Sequence, residues 1–303
     1  MGRCVVKVNY AAETGGDKVF TVLNYVILTL FAVTVLYPLV AVVSNSVSSP
    51  VAVGAGKVWL WPVDLSLDGY KAIFEYKKVW TGFGNSLYYT IVGTAVNIIF
   101  TLLAAYPLSR MDFYGRNVFM SLFVFTMIFH GGIIPTYMVV KELGMVNTPW
   151  ALIIPGAISV WNVIITRTYF KTTIPQEVLD SAQIDGCSDL KFLIRMVIPL
   201  SAPIIAVNAL FYAVNHWNTY FNALIYLSNA KLFPLQLVLR EVLVLSQVTP
   251  DMLDQVSDAA RLEGMTDVLK YALIVVSTLP LLILYPFVQK HFVRGVMIGS
   301  LKG

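Results

Sequence analysis

Six long apolar stretches restrict this chain to a membrane-embedded fold. A helix needs roughly 20 mostly apolar residues to cross the hydrocarbon layer of a bilayer. The overall composition, 57% apolar and 13% charged, also lies outside the range of soluble domains. The sequence therefore predicts an all-α integral membrane protein with six transmembrane helices, at residues 20–43, 85–110, 118–140, 150–170, 198–227 and 271–288.

The distribution of Lys and Arg predicts the orientation in the membrane. With the N-terminus inside, the inner segments and the arginines beside them hold twelve Lys or Arg against seven Asp or Glu. The outer segments hold nine against ten. Because cytoplasmic loops are enriched in Lys and Arg, both termini are predicted to be cytoplasmic. Residues 1–19 then form a cytoplasmic segment and residues 20–303 a transmembrane domain with its core at 85–290.

Ionisable residues are nearly absent from the six stretches, which bears on the source of energy for any transport. The stretches contain no Asp, Glu or Lys; Arg110 and Arg167 lie at cytoplasmic ends, and only His130 and His216 lie deeper. Ion-coupled carriers commonly hold ionisable groups near the membrane centre, so a carrier of that kind is disfavoured. It stays open as the alternative, because backbone carbonyls can also bind sodium.

No motif of a catalytic or nucleotide-hydrolysing site is present. The sequence GAGK at 54–57 resembles part of a phosphate-binding loop, but Val51 and Val58 stand where that loop needs a glycine and a Ser or Thr. Known protease, hydrolase and paired-cysteine metal motifs are also absent from the sequence. The chain is therefore predicted not to be an enzyme and to have no metal site. Clusters of five or more Lys or Arg are missing too, which argues against nucleic-acid binding.

Between the fourth and fifth stretches lies an acidic segment, TTIPQEVLDSAQIDGCSDLKF, at residues 172–192. Pro175 suits the first turn of a helix, with Thr172 or Thr173 as the N-cap, and Gly186 is suited to end it. A helix of about eleven residues is marginal in isolation. The segment is therefore predicted to be a short cytoplasmic helix that packs against something else.

The residue types on this helix favour a protein partner over the lipid surface. Val178, Leu179 and Ala182 form an apolar edge, and the acidic side chains project elsewhere. A helix lying on the bilayer is the alternative, but such helices usually carry Lys and Arg to meet anionic lipid. Docking in a basic protein groove is the favoured interpretation.

The same segment resembles the EAA motif of the permease subunits of ATP-binding-cassette (ABC) importers. In that family the pattern is Glu-Ala-Ala, three residues, glycine, nine residues, and then I-x-L-P. Here Asp180, Ser181 and Ala182 precede Gly186, and residues 196–199 read MVIP, at the same spacing. The residues differ from the pattern at four positions, but the glycine and the proline are kept.

Further segments are similar to the carbohydrate (maltose-type) permeases of this family, and particularly to a subgroup for oligosaccharides, some of them rich in uronic acids such as alginate or pectin fragments. These segments are FHGGIIPTYMVVKELGMVNTPWALIIPGAISVWNVIITRTYF at 129–170, WNTYFNALIYL at 217–227 and FPLQLVLREVL at 233–243. The resemblance covers about residues 20–303.

This resemblance implies a type I ABC importer permease fold, with a coupling helix at about 174–186 seated in a cleft of an ATP-binding subunit. It also implies a second homologous permease subunit, two ATP-binding subunits that hold ATP and Mg, and an extracytoplasmic solute-binding protein that delivers an oligosaccharide. The chain itself would hold no cofactor and would lie in the inner membrane of a bacterium. Because Asp is one methylene shorter than Glu, both Glu177 and Asp180 are candidates for the ion pair with the ATPase. The coupling residues carried over are Glu177, Asp180, Ser181, Ala182, Asp185 and Gly186.

Polar residues of the fifth stretch recur on one face of a helix. If the stretch is one helix, with 100° between successive residues, these side chains all point within about 40° of a single direction. They are either hydrogen-bonded contacts between helices or the lining of a pathway in which amides bind sugar hydroxyls. The stretch thus supplies candidate pathway residues Asn208, Tyr212, Asn215, Thr219 and Asn222, flanked by His216 and Asn218; the second stretch adds Asn85, Tyr89 and Asn97 as weaker candidates.

Two further hypotheses remain to be tested at this point. An acidic run at 251–267 in the outer loop is either a solvated face or a docking surface for the binding protein. The chain as a whole is an oligosaccharide permease, an ion-coupled carrier, or a purely structural assembly subunit. The last of these predicts that transport is unchanged when the asparagines of the fifth stretch become leucine.

Overall fold

A computed structural model describes residues 15–245 and 259–300, and the described chain is helical. A π-helical turn, Leu193–Val197, and a 3-10 turn, Ala230–Leu232, interrupt the α-helices. No β-strand is found within these two ranges apart from an isolated bridge between Ser48 and Leu65. The α-helices in chain order are α1 Gly15–Ser46, α2 Pro50–Gly54, α3 Asp68–Glu75, α4 Lys77–Ser109, α5 Arg116–Ile128, α6 Ile133–Glu142, α7 Trp150–Ile153, α8 Val160–Thr173, α9 Gln176–Ile184, α10 Asp189–Phe192, α11 Ile198–Leu200, α12 Ala202–Trp217, α13 Phe221–Tyr226, α14 Leu235–Leu245 and α15 Ala259–Ser300.

Length and hydropathy give up to five candidate spans in the described part of the chain. Three are single helices: α1, α4 and residues Gly264–Ile283 of α15. Two are bent pairs: α5 with α6, which bend by 114° at the exposed residues 129–132, and residues Asp189–Leu200 with α12, which bend by 83°. These spans correspond to five of the six predicted stretches. The second bend follows Pro199, as expected for a proline inside an apolar stretch.

The prediction of one continuous helix at 150–170 is wrong. The stretch divides into α7 and α8, separated by six residues that include Pro155 and Gly156. Proline lacks a backbone donor and clashes with the preceding turn, so α7 stops. Ser159 starts α8 by accepting a hydrogen bond from the backbone of Asn162. With 14 residues, α8 is shorter than the roughly 20 residues that a helix needs to cross the hydrocarbon layer.

The described residues belong to two compact units. The described part of one unit consists of residues 15–71 and 259–275. Its helix α1 is apolar and has no buried residue in its most hydropathic window, as expected for a helix surrounded by lipid. A small core forms where α2 approaches α15: a Cβ added at Gly264 would overlap the backbone carbonyl of Pro50, so only glycine fits there. The predicted docking run at 251–267 lies outside the described residues up to position 258.

The described part of the other unit consists of residues 72–245 and 276–300, and it holds all the candidate site residues. Helix α4 lies at its centre, packed along α8 and α12. One apolar cluster surrounds the C-terminal half of α4, and a second surrounds its N-terminal half together with α7 and α13. Because α4 contacts both α8 and α12, it connects the segment that contains α9 with the polar residues of α12.

Candidate functional site

The acidic segment forms helix α9, and Pro175 is its N-cap residue, with φ −63° and ψ 145°. The prediction of Thr172 or Thr173 as the N-cap is wrong, because α8 continues to Thr173 and the Thr172 hydroxyl donates to the Thr168 carbonyl at 3.0 Å. The residue before a proline is disfavoured in the helical region. This preference ends α8, and α9 starts after only two intervening residues.

The end of α9 is a Schellman motif built on Gly186. The Gly186 N–H donates to the Gln183 carbonyl at 3.0 Å, and the Cys187 N–H donates to the Ala182 carbonyl at 2.9 Å. Gly186 has a φ of +71°, where a residue with a Cβ is strained. The prediction that this glycine ends the helix is confirmed.

The apolar edge of α9 packs against this chain's own helices. Leu179 is 5% exposed and lies in a buried cluster with Phe170 of α8 and Phe192 of α10. Val178 and Ala182 pack against the same cluster. A helix of nine residues gains most of its stability from such packing. The surface that α9 leaves free is therefore not its apolar edge.

The free face of α9 is acidic and carries one large apolar side chain. Glu177, Asp180, Ser181 and Asp185 are all exposed. Ile184 is 87% exposed beside them, and sequence reasoning missed it. The available signal was its position four residues after Asp180, which places an isoleucine on the polar face.

The two carboxylates that are candidates for an ion pair differ in their contacts. Asp180 Oδ1 accepts a hydrogen bond from Gln176 Nε2 at 3.0 Å. The carboxylate of Glu177 has no hydrogen-bond or ion-pair partner among the described residues. The Ser181 hydroxyl donates to the Glu177 backbone carbonyl at 2.8 Å, so it supports the helix. Both carboxylates are exposed and can receive an external cation.

A half-buried arginine, Arg110, lies beside this segment. The side chain of Arg110, 9% exposed, donates from Nη1 to Asp189 Oδ1 at 2.7 Å and to the Tyr106 hydroxyl at 2.9 Å. Its Nε donates to Asp112 Oδ1 at 2.8 Å. This hydrogen bond holds the pKa of the Asp112 carboxyl below its usual 3.8 and raises the pKa of Arg110. Sequence reasoning treated Arg110 only as a charge at a cytoplasmic end.

Two of the predicted pathway residues on α12 make buried contacts with other helices. Asn208 is 1% exposed, and its Nδ2 donates to Thr166 Oγ1 of α8 at 2.6 Å. The Tyr212 hydroxyl shares a hydrogen bond of 2.7 Å with Thr101 of α4. These contacts correspond to the interhelical hydrogen bonds weighed as the alternative for the stripe.

His216 is also buried, and it pairs with Asn97 of α4. Its Nε2 lies 2.7 Å from Asn97 Oδ1 in a shared hydrogen bond. The Nδ2 of Asn97 donates to the Gly156 carbonyl at 2.6 Å, which satisfies a backbone group in the break between α7 and α8. The other candidates on α4, Asn85 and Tyr89, likewise donate to backbone carbonyls within residues 231–233.

The remaining predicted pathway residues lie at the surface of this chain or near it. Asn215, Asn218 and Asn222 are exposed, and Thr219 is half-buried. The single helical register assumed for the stripe does not hold throughout, because α12 ends at Trp217 and α13 begins four residues later. The amides of Asn215 and Asn222 have no hydrogen-bond partner within the described ranges. Three exposed amides are thus presented by α12, by the turn that follows it and by α13.

These side chains offer amide, hydroxyl and carboxylate groups for hydrogen bonds. No group of three or more His, Cys, Asp or Glu that could hold a metal ion lies in the part of the chain that the structure describes.

Comparison with known protein families identifies the family of this chain. A family model described as the binding-protein-dependent transport system inner membrane component matches residues 98–298. The chain belongs to this family. The match includes α9 and α12 with their candidate residues, whereas Asn85, Tyr89 and Asn97 of α4 precede it.

Individual relatives agree with this assignment. The chain is similar to protein LplC of Bacillus subtilis (strain 168), with 41% identity over 291 residues that cover 96% of this chain and 97% of the relative. It is also 42% identical, over 288 residues, to a polygalacturonan/rhamnogalacturonan transport system permease protein, YtcP, of the same strain, covering 95% and 99%.

A solved structure shows the same fold. It is the crystal structure of a bacterial ABC transporter involved in the import of the acidic polysaccharide alginate. The TM-score is 0.86 at 34% sequence identity, over 92% of this chain and 98% of that chain. The predicted type I importer permease fold is confirmed, and the chain is an ABC transporter permease. This assignment favours the permease over the ion-coupled carrier.

Proposed function

We propose that this chain is one of two permease subunits of an ABC importer that carries acidic oligosaccharides across a bacterial inner membrane. The observation that carries the proposal is the geometry of α9, whose apolar edge is anchored in its own chain while its carboxylates and Ile184 are free. That arrangement suits a helix that docks on another subunit and passes a displacement to its own core. The names of the relatives, a polygalacturonan/rhamnogalacturonan permease and an alginate importer, support the acidic substrate class.

The work is divided between subunits in this proposal. Two ATP-binding subunits hold ATP and Mg, and each receives a coupling helix from one permease. On this chain Glu177 and Asp180 offer charges to a basic cleft, Asp185 adds a third carboxylate, and Gly186 sets the end of the helix. ATP-driven closure of the ATPases then moves α9 and switches the permease between inward-facing and outward-facing states. Both termini and α9 lie on the cytoplasmic side.

The substrate pathway follows the exposed amides. Asn215, Asn218 and Asn222 offer hydrogen-bond donors and acceptors on a face that lipid cannot satisfy. Neutral amides bind sugar hydroxyls without holding an anionic chain too tightly for release. The buried set around Asn208 and His216 then keeps α12 in place behind them. An extracytoplasmic binding protein delivers the oligosaccharide to this pathway.

The test is ATP turnover in the assembled complex. The chain is purified in lipid nanodiscs with its partner permease and ATPase subunits, and the binding protein is added empty, with oligogalacturonate, or with a neutral maltooligosaccharide. We expect vanadate-sensitive hydrolysis to rise only with the oligogalacturonate-loaded protein. Stimulation by the neutral sugar alone would refute the acidic substrate class. Uptake by this chain alone in liposomes, driven by a sodium or proton gradient, would refute the permease proposal.

A further inference from the structure

We propose that Arg110 and Arg167 are positioning residues that fasten the cytoplasmic end of α4 to both segments flanking α9, so that a displacement of α9 is passed to α4. This inference rests on the proposed function, because it assigns the route from α9 to the pathway. It adds two residues outside the EAA motif to the residues that couple ATP hydrolysis to transport.

The first fastening joins α4 to the segment after α9. Arg110 follows the last residue of α4, and Asp189 opens α10, three residues beyond Gly186. Their side chains meet at 2.7 Å, although they are 79 residues apart in the chain. The Arg110 side chain is 9% exposed, and the Tyr106 hydroxyl accepts a second hydrogen bond from it. Because the Asp189 side chain is 71% exposed, solvent screens this ion pair, and its contribution is geometric: it fixes the position of the segment after α9 relative to α4.

The second fastening joins α4 to the segment before α9. Arg167 lies in α8, which leads to α9 through two residues. Its Nε donates to the Leu108 backbone carbonyl at 2.9 Å. This carbonyl is in the last turn of α4, where helix carbonyls have no partner inside the helix. The arginine therefore satisfies the helix end and ties α8 to it.

The space between the two fastenings is only partly filled. A cavity of about 150 Å³ separates α9 from the end of α4, and Ile174, Gln176 and Leu179 form part of its wall. Leu179 of α9 belongs to the same apolar cluster as Tyr106 and Leu108 of α4, but the cavity leaves the packing between α9 and the end of α4 incomplete. The two arginines supply fixed polar connections on either side of it.

Helix α4 extends the connection to the pathway helix. Thirteen residues before Arg110, Asn97 is bonded to His216 of α12, and Thr101 is bonded to Tyr212. The exposed amides of Asn215 and Asn218 are next to these anchor points in α12. A shift of the end of α4 therefore reaches the pathway through buried hydrogen bonds, without any contact between α9 and α12. Such a chain of paired side chains and a rigid helix is a physical route for coupling.

The test is a double-mutant cycle on the purified complex. Arg110→Gln, Asp189→Asn and the double variant are compared for basal ATP hydrolysis and for hydrolysis stimulated by oligogalacturonate-loaded binding protein. Energetic coupling between sites commonly corresponds to about 5- to 150-fold. We expect each single variant to lower the ratio of stimulated to basal turnover at least about fivefold. The double variant should lower this ratio no further than the single variants do, because each single substitution already breaks the same Arg110–Asp189 connection.

Asp112→Asn is the matched control. Asp112 bonds the same guanidinium, but it lies two residues from Arg110 and does not reach the segment after α9. The ratio of stimulated to basal turnover in Asp112→Asn should stay near that of the wild type. Equal losses in Asp112→Asn and Asp189→Asn, or additive losses in the double variant, would overturn the proposal. Loss of co-purifying ATPase subunits in Asp189→Asn would overturn it too, since the residue would then act in assembly.

Arg167 is tested separately, because its partner is a backbone carbonyl. Arg167→Lys keeps the charge and a donor, whereas Arg167→Met keeps much of the length without either. We expect the lysine variant to keep most of the stimulation and the methionine variant to lose it while basal turnover remains. Loss of basal turnover and of assembly in both would contradict the assignment. If the wild-type complex hydrolyses ATP without any response to loaded binding protein, the proposed function fails, and not this inference alone.

Discussion

His216 Nε2 of α12 and Asn97 Oδ1 of α4 lie 2.7 Å apart, and Gly93 leaves the space that the imidazole occupies. A Cβ at Gly93 would lie 2.5 Å from His216 Nε2. The pair therefore depends on a glycine one helical turn away on α4. The contact joins the two helices through which we propose that α9 controls the pathway.

Gly93→Ala should destabilise the unit by displacing this histidine. Overpacking of a buried site typically costs about 1–3 kcal/mol, so we expect a clear drop in the thermal midpoint of the purified complex. Gly84→Ala on the same helix is the control, because a Cβ there meets nothing within 4 Å. Alanine is also the better helix former. Equal midpoints for the two variants would contradict the packing described here.

Ile184→Ala should weaken coupling without weakening the fold. The side chain is 87% exposed, so truncating it leaves the chain's own core unchanged. If it packs on an ATPase subunit, stimulated hydrolysis falls about fivefold, in line with apolar anchors at interfaces. Ile184→Val should keep most of the stimulation.

Leu179→Ala should show the opposite pattern. The residue is buried under α9, and the loss of such a side chain costs about 2–5 kcal/mol. We expect a melting experiment to show a lower thermal midpoint for this variant, while the folded protein keeps its stimulated ATP hydrolysis. A variant with normal stability and abolished coupling would show that Leu179, and not Ile184, meets the partner.

Leucine substitutions of the asparagines should separate pathway from packing. Replacing Asn215, Asn218 and Asn222 together should lower oligogalacturonate uptake roughly a hundredfold, with the melting point unchanged, because three lost hydrogen bonds of about 1 kcal/mol each sum to about 3 kcal/mol. Asn208→Leu should instead lower the melting point, because it removes the buried hydrogen bond that Asn208 Nδ2 donates to Thr166 Oγ1. Unchanged uptake in the triple variant would favour the purely structural subunit.

The bond between Arg110 and Asp112 predicts a pH dependence of stability. Arg110 lowers the folded-state pKa of Asp112, so the carboxylate contributes stability above its unfolded pKa of about 3.8. That contribution is lost as the pH falls through the lower, folded value. The difference in melting point between wild type and Asp112→Asn should therefore be constant between pH 7 and 5 and shrink below about pH 4. A difference that already shrinks near pH 6 would point to another group.

The positions of helices could be predicted from the sequence wherever a single local rule determines them. Gly186 ends α9 and Pro199 precedes a bend, because backbone geometry leaves few alternatives at those residues. The division of 150–170 was missed because hydropathy does not register the effect of Pro155 with Gly156, and because the polar partner of that break, Asn97, is distant in the chain.

The predicted site was harder to resolve for the same reason. Periodicity placed Asn208 and Asn215 on one face of a helix. Which of the two is buried depends on where α4 and α8 pack against α12, and local periodicity does not contain that information. Likewise, the composition of α9 shows that it needs a partner for its apolar edge without showing that the partner is its own chain. Long-range contacts such as that of Arg110 with Asp189 leave no trace in local spacing.

The break between α5 and α6 has a consequence for how this polypeptide exists in the cell. Residues 129–132 lie outside both helices and are exposed, in the middle of an apolar stretch, although the Phe129 N–H and the Gly132 carbonyl keep partners within the chain. Hydrocarbon offers no donor or acceptor to bare peptide groups. These peptide groups need water or a neighbouring subunit against them, and in the proposed importer the second permease subunit is the candidate that would cover them.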